Sequence, residues 1–228
     1  MSVNIAIDGP AGAGKSTIAK RLAVYLGFVY VDTGAMYRAM ALYFLRKGID
    51  AKDESVIEKA VGEVLVEIAY EDGVQQVYLN HENVSSLIRT EEVSQMTSKT
   101  SVYLSVRKKL VELQKQLADS QNVIMDGRDI GTCVLPNADV KIYMTASVKV
   151  RAERRYKELV EKGVSCTLEE IEKEIEERDY RDTHREHSPL RQAEDAIRLD
   201  TSEMTIDEVV EAMAKIAQEK GVKVPEWK

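Results

Sequence analysis

The sequence predicts an α/β fold: a three-layer α/β/α domain around a five-stranded parallel sheet, with a small antiparallel β insert. Three observations predict it. Short apolar runs recur between helical patterns, at 3–8, 28–32, 122–126, 140–146 and 196–200. A glycine-rich turn joins the first run to an amphipathic stretch. One segment, 64–80, breaks the rhythm by alternating apolar and other residues on both sides of an Asp-Gly turn.

"VNIAID" (3–8) reads as a buried strand ending at glycines. "STIAKRLAVYLG" follows, with Ile18, Leu22 and Leu26 four apart and Ala19 and Ala23 beside them; that is one helix face, closed by Gly27 as a left-handed cap. "FVYVD" (28–32) is a second strand, and "TGAMYRAMALYFLRKG" a second helix with Thr33 near its start. "NVIMD" (122–126), "VKIYMTA" (140–146) and "AIRLD" (196–200) supply three more strands. Ser147 begins a helix stopping at Gly163, and "TLEE" (167–170) and "TIDE" (205–208) are capping boxes opening two others. Strands alternating with helices imply a parallel sheet covered on both faces. The 64–80 hairpin is an inserted module, placed at 63–84, within a single domain spanning 1–228.

The 228 residues suit one large domain, and 44% hydrophobic content supplies a core built mainly from Val, Ile, Leu and Ala. A net charge of −7 argues against non-specific binding to nucleic acid or acidic membranes. Cys133 and Cys166 make no disulfide framework and read as reduced thiols. Met1 leads through Asn4 straight into the glycines, unlike a signal peptide, and no run reaches the length needed to cross a bilayer. A cytoplasmic, monomeric protein is expected. The tail "VKVPEWK", with Trp227, has no assigned role beyond docking on the core.

The first glycine turn has chemistry in it. Gly9, Gly14, Lys15 and Ser16 match G-x-x-x-x-G-K-[ST], with a strand before and a helix after. Glycines let successive backbone N–H groups turn inward around phosphate oxygens, and the helix N-terminus adds partial positive charge. The loop Gly9, Pro10, Ala11, Gly12, Ala13, Gly14, Lys15, Ser16 and Thr17 is therefore expected to hold a nucleoside triphosphate. Lys15 would reach its outer phosphates, and Ser16 would ligate Mg2+. Asp126, closing a buried strand, would complete the metal site through water.

Arginines indicate what happens to that triphosphate. The guanine-reading N/T-K-x-D element of a GTP switch is absent. Six arginines crowd into 151–185. Arg38, Arg128 and Asp129 follow strand ends, where ligands bind in such sheets. "RDYRDTHR" puts Arg178, Arg181, Asp182 and Arg185 at i, i+3, i+4 and i+7, on one helical stripe. A charged stripe is usually only a solvated face, but here every cation in it is arginine although lysine is common elsewhere. Phosphoryl transfer between two nucleotides brings many negative charges together and needs such groups. A phosphate acceptor is already an anionic nucleophile, so no general base is required. His184 and His187 lack a third well-spaced ligand for a metal.

"DGPAGAGKST", "DTGAMYR", "VSSLIRTEEVS", "DGRDIGT", "KIYMTAS" and "ERDYRD" occur in this order and together resemble bacterial-type cytidylate kinase. The resemblance runs from about Val3 to the final helix. It implies a P-loop nucleoside monophosphate kinase with a mobile helical lid, here the arginine-rich 150–190, and transfer of the γ-phosphoryl group of ATP to CMP or dCMP with Mg2+. It implies that Thr33, Arg38, Arg128 and Arg178 hold the acceptor phosphate. Asp129 with Arg107 would read cytosine, because a carboxylate accepts from the N4 amino group and repels the oxygen of uracil. Arg107 by itself is one basic residue in "SVRKKLVELQKQL" and gains this role only from the resemblance. Asp182 and Arg185 would contact the acceptor's sugar. Arg181 would reach the transferring phosphate, and Arg151 or Arg155 the ATP. The rival expectations are a kinase for UMP or for a hydroxyl acceptor such as shikimate, and a slow regulatory ATPase.

Overall fold

The computed structural model describes residues 2–161 and 163–225. Its strands are β1 (Asn4–Asp8), β2 (Val29–Asp32), β3 (Val66–Glu71), β4 (Val74–Leu79), β5 (Glu82–Asn83), β6 (Val123–Gly127), β7 (Val140–Thr145) and β8 (Ile197–Asp200). Its helices are α1 (Lys15–Leu26), α2 (Thr33–Arg46), α3 (Glu54–Glu63), α4 (Glu91–Thr100), α5 (Leu104–Ser120), α6 (Val148–Glu161), α7 (Leu168–His184) and α8 (Ile206–Glu219). A single π-helical turn occupies Ile130–Val134. The chain forms two compact units. One runs up to Tyr30 and resumes at Gln121; the other is Val31–Ser120.

The main sheet has strand order β2-β6-β1-β7-β8, with parallel pairing of β1 to β6 and β7 and of β7 to β8. The central strands β1, β6 and β7 are short and largely apolar because both of their faces are buried, whereas β8 at the edge exposes Arg198 and Asp200. Ile5, Ile7, Ile124, Val140, Ile142 and Met144 pack with the inward faces of α1 and α8 in one cluster. Ala6, Val123 and Met125, which alternate with some of these, are buried too, so the second face is also covered. α8 buries Val209, Val210, Met213, Ala214 and Ala217, the stripe its sequence spacing dictates. Gly27 closes α1 at φ 68, and Thr167 and Thr205 make the two expected capping boxes with Glu170 and Glu208. The tail is anchored here: Val222 and Val224 pack on the core, and the Tyr25 hydroxyl donates to the Pro225 carbonyl. Trp227 lies outside the described residues.

α6 and α7 have a small apolar cluster of their own. Ala152, Ile171 and Ile175 are its buried members, with Val148, Leu159, Cys166 and Leu168 around them.

In the second unit, β3, β4 and β5 form a three-stranded antiparallel sheet, one short strand more than the hairpin expected. Met36, Met40, Phe44, Ile57, Ile88 and Leu110 are fully buried. α3 and α4 carry start signals in their N-caps, Asp53 and Thr90, whose side chains accept from Val56 and Val93 N–H. The sequence reading did not extract these two helices.

A contrast within one helix tests this core. Leu22 is fully buried on α1, whereas Val24 is 85% exposed. Leu22→Ala is expected to cost about 2–5 kcal/mol in urea denaturation. Val24→Ala is expected to change stability by no more than about 0.5 kcal/mol.

Candidate functional site

The glycine loop joins β1 to α1. Gly9, Gly12 and Gly14 adopt φ of 151, 74 and 87, backbone that other residues rarely take. A Cβ on Gly9 would lie 1.9 Å from the Met144 carbonyl oxygen, so only glycine fits. Gly14 caps α1 in left-handed geometry, with no side chain bonded to the first N–H groups. The positive helix end therefore faces the loop uncapped. Lys15 is buried and its Nζ donates to the Pro10 carbonyl at 2.8 Å, which keeps the ammonium folded over the loop. Burial pushes its pKa well below the ordinary value, and the Arg128 cation pushes the same way against Asp126, Asp8 and Asp182. Ser16 and Thr17 are exposed.

Ser16 Oγ donates to Asp126 Oδ2 at 2.9 Å, and Tyr30 donates its hydroxyl to Oδ1 of the same carboxylate at 2.9 Å. A hydroxyl and a carboxylate are hard oxygen donors, which fits Mg2+, an ion that keeps waters and takes the rest of its shell from phosphates. Among the described residues no group of three or more His, Cys, Asp or Glu could hold a metal ion. Among those residues, Ser16 and Asp126 offer a donor pair and not a protein cage.

Beyond β6 the charges are paired. Arg128 Nε donates to Asp182 Oδ2 at 2.9 Å, joining the strand end to α7. Burial alone would raise the Asp182 carboxyl, but Arg128, Arg178 and Arg185 outweigh it and hold it below its ordinary value. Arg185 donates to Asp129 Oδ1 at 3.3 Å and to the Ser188 carbonyl at 2.5 Å. Asp129 and Arg185 side chains are only 7% and 4% exposed. The expected four-residue stripe is corrected here. α7 ends at His184, and Arg185 takes extended backbone, φ −65 and ψ 143. The chain turns back at that point, with Leu190 N–H bonded to the Asp182 carbonyl.

Other arginines of 150–190 divide by position. Arg151 is buried and donates to the Ala146 and Ala11 carbonyls and to Asp179, tying β7, the glycine loop and α7 together. Arg154, which the sequence reading did not select, donates to the carbonyl oxygens of Ala13 and Thr201. Arg155 is 41% exposed and reaches Glu158. Arg181 is 47% exposed, 3.9 Å from Glu177.

The second unit holds its own charged group. Asp32 is the N-cap of α2: its Oδ1 accepts from Ala35 N–H, while Oδ2 takes Arg38 at 2.9 Å and Arg89 at 3.3 Å. The Gln75 amide from β4 clamps the Asp32 main chain in both directions, accepting its N–H and donating to its carbonyl. Thr33 is buried beside it. Arg107 is 3% exposed, with its guanidinium over the Tyr37 ring and one N–H on the Ser101 carbonyl. Arg89, Gln75, Tyr30 and Arg154 were missed by sequence reasoning. Only Arg89 had a signal, its place inside "VSSLIRTEEVS".

Asp182→Asn leaves Arg128 without its carboxylate and is expected to cost about 3 kcal/mol at pH 7. Because the folded pKa is depressed, this stabilisation is present above the ordinary 3.8 and is lost as pH falls below it. In denaturation at pH 3–7, the gap between wild type and variant should narrow only at the acid end.

A family model described as cytidylate kinase matches residues 5–219. The chain is 52% identical to a cytidylate kinase of Lactobacillus gasseri, covering 96% of this chain and 95% of that one. It is 48% identical to one of Ligilactobacillus salivarius, covering 96% and 98%, and 50% identical to one of Listeria innocua, covering 95% and 96%. Among solved structures it resembles a gluconokinase from Sinorhizobium meliloti, at TM-score 0.50 and 13% identity over 96% of this chain and 93% of that one, a likeness of fold alone. With that family match over most of its length and relatives about half identical, the chain belongs to the cytidylate kinase family.

Proposed function

We propose that this protein transfers the γ-phosphoryl group of ATP to CMP, and to dCMP, giving ADP and CDP or dCDP. The observation that carries the reading is the pairing of guanidinium groups with buried carboxylates beyond the strand end: the half-buried Arg128 on Asp182 and the buried Arg185 on Asp129. Two polyanions repel each other, and cations already fixed in a buried site offset that repulsion without reorganising. Lys15 belongs to the same device, since an arriving triphosphate restores the charge that burial disfavours.

In this reading the loop and the α1 N-terminus bind the ATP phosphates, with Ser16 and Asp126 as the residues that would hold Mg2+. Bound there, the ion would neutralise phosphate oxygens. Arg38 and Arg89 take the phosphate of CMP, with Thr33 beside them. Arg128 and Arg178 serve the same phosphate. The CMP phosphate is itself the nucleophile, so the protein supplies position and charge, not a base. Asp129 and Arg107 read the cytosine edge, and Asp182 and Arg185 the sugar. α6 and α7 act as the lid, with Arg181 toward the transferring phosphate; closure keeps water from the phosphoryl group. Arg151 works through the Ala11 carbonyl, shaping the loop while joined to α7. The enzyme acts as a cytoplasmic monomer on small nucleotides. No helix among the described residues is long and apolar enough to cross a membrane.

A hydroxyl acceptor would leave this cationic lining unexplained. A coupled assay of ADP release with CMP, dCMP, UMP, AMP and no acceptor separates the readings. Rapid release with the cytidine nucleotides alone is expected. Equal release without acceptor would indicate an ATPase, and preference for another acceptor would displace CMP. Arg178→Ala is expected to lower kcat by about 10²-fold or more, with a denaturation midpoint close to wild type. Parallel losses of activity and stability would remove Arg178 from the catalytic set.

A further inference from the structure

Asp8 is the last residue of β1 and the residue before Gly9. No step of the proposed reaction uses it, yet its surroundings are demanding. It is 5% exposed, and both carboxylate oxygens accept main-chain N–H groups: Oδ1 from Ile130 at 2.8 Å, Oδ2 from Gly131 at 2.7 Å. These are the first residues of the π-helical turn, directly after Asp129. The Asp129 carbonyl accepts from Cys133 and Val134 N–H, so the far end of the turn closes back on Asp129 while Asp8 pins its first two residues. Gly131 sits close against both Asp8 and Lys141. A Cβ there would lie 3.4 Å from Asp8 Oδ2 and 3.2 Å from the Lys141 stem.

Such a carboxylate is expensive to keep. Burial raises its pKa to about 6, the two N–H groups oppose that, and the charge of Asp129 adds to it. Packing alone would be served by a neutral side chain. What a carboxylate does here, and a neutral residue cannot, is accept two adjacent N–H groups at once through two equivalent oxygens.

We propose that Asp8 is a positioning residue for base selection: by gripping the Ile130 and Gly131 main chain it sets where Asp129 presents its carboxylate, and it registers that carboxylate against the phosphate loop one residue away. This rests on the reading of Asp129 as the group that selects the cytosine amine. The leverage is geometric. A hydrogen bond weakens steeply with misalignment, and a site built around one rejects the wrong partner only while its alignment holds.

The test compares Asp8→Asn, Gly131→Ala and Asp129→Asn in the full-length enzyme. It measures kcat/KM for CMP and for UMP, KM for ATP, and the thermal midpoint. Asp8→Asn keeps the shape but can accept only one of the two N–H groups. Gly131→Ala leaves the Asp8 carboxylate intact and crowds its grip, with a Cβ 3.4 Å from Asp8 Oδ2 and 3.2 Å from the Lys141 stem, so it carries the test if Asp8→Asn folds poorly. Both are expected to lower the CMP-to-UMP selectivity roughly tenfold, with the KM for ATP within about twofold of wild type. Selectivity that survives in the folded variants while Asp129→Asn abolishes it overturns the role of Asp8. A rise in KM for ATP matching the loss with CMP assigns Asp8 to the loop and also overturns it. Unchanged selectivity in Asp129→Asn removes the underlying reading of Asp129 itself.

Discussion

Positive charge that must stand ready in a buried place constrains most of this structure. A guanidinium or ammonium withdrawn from water is unstable unless something offsets the loss, and carboxylates do so here. Arg185 leans on Asp129 and Arg151 on Asp179, both buried; the half-buried Arg128 leans on Asp182, and in the second unit the half-buried Arg38 shares Asp32 with the exposed Arg89. Each carboxylate sits at a strand end or on a helix that the fold fixes independently: Asp32 caps α2, Asp129 precedes the π-helical turn, and Asp179 and Asp182 lie on α7. The scaffold aims the carboxylates, and the carboxylates aim the cations.

That arrangement explains why several of these groups carry more than one protein partner. Arg151 spends its donors on two carbonyls and a carboxylate, and so shapes the loop from behind. Lys15 is held by the Pro10 carbonyl at a burial that disfavours its charge. A phosphate chain entering the loop would meet N–H groups and cations already in place, which is the condition for strong electrostatic stabilisation in a site shut off from water.

The sequence made the sheet, the glycine loop and the capping boxes legible because each is local. Glycine spacing, a strand ending in aspartate and a threonine three residues before glutamate each state their geometry within a few residues. The helices α3 and α4 were equally local, and their caps at Asp53 and Thr90 were there to be read. Asp8, Tyr30, Gln75 and Arg154 were not legible. Their partners lie between 43 and 141 residues away along the chain. Only the folded chain brings them together. Spacing misled at one point: Arg185 fits the α7 stripe by number, but the helix ends at His184 and extended backbone carries Arg185 to Asp129.

The most direct measurement is a crystal structure with CMP and a non-hydrolysable ATP analogue together. Charge neutralisation with base selection predicts Asp129 within hydrogen-bonding distance of the cytosine amine, Arg38 and Arg128 on the CMP phosphate, and Lys15 on the outer phosphates of the analogue. Asp129 and Arg128 turned away from the pyrimidine nucleotide would contradict it.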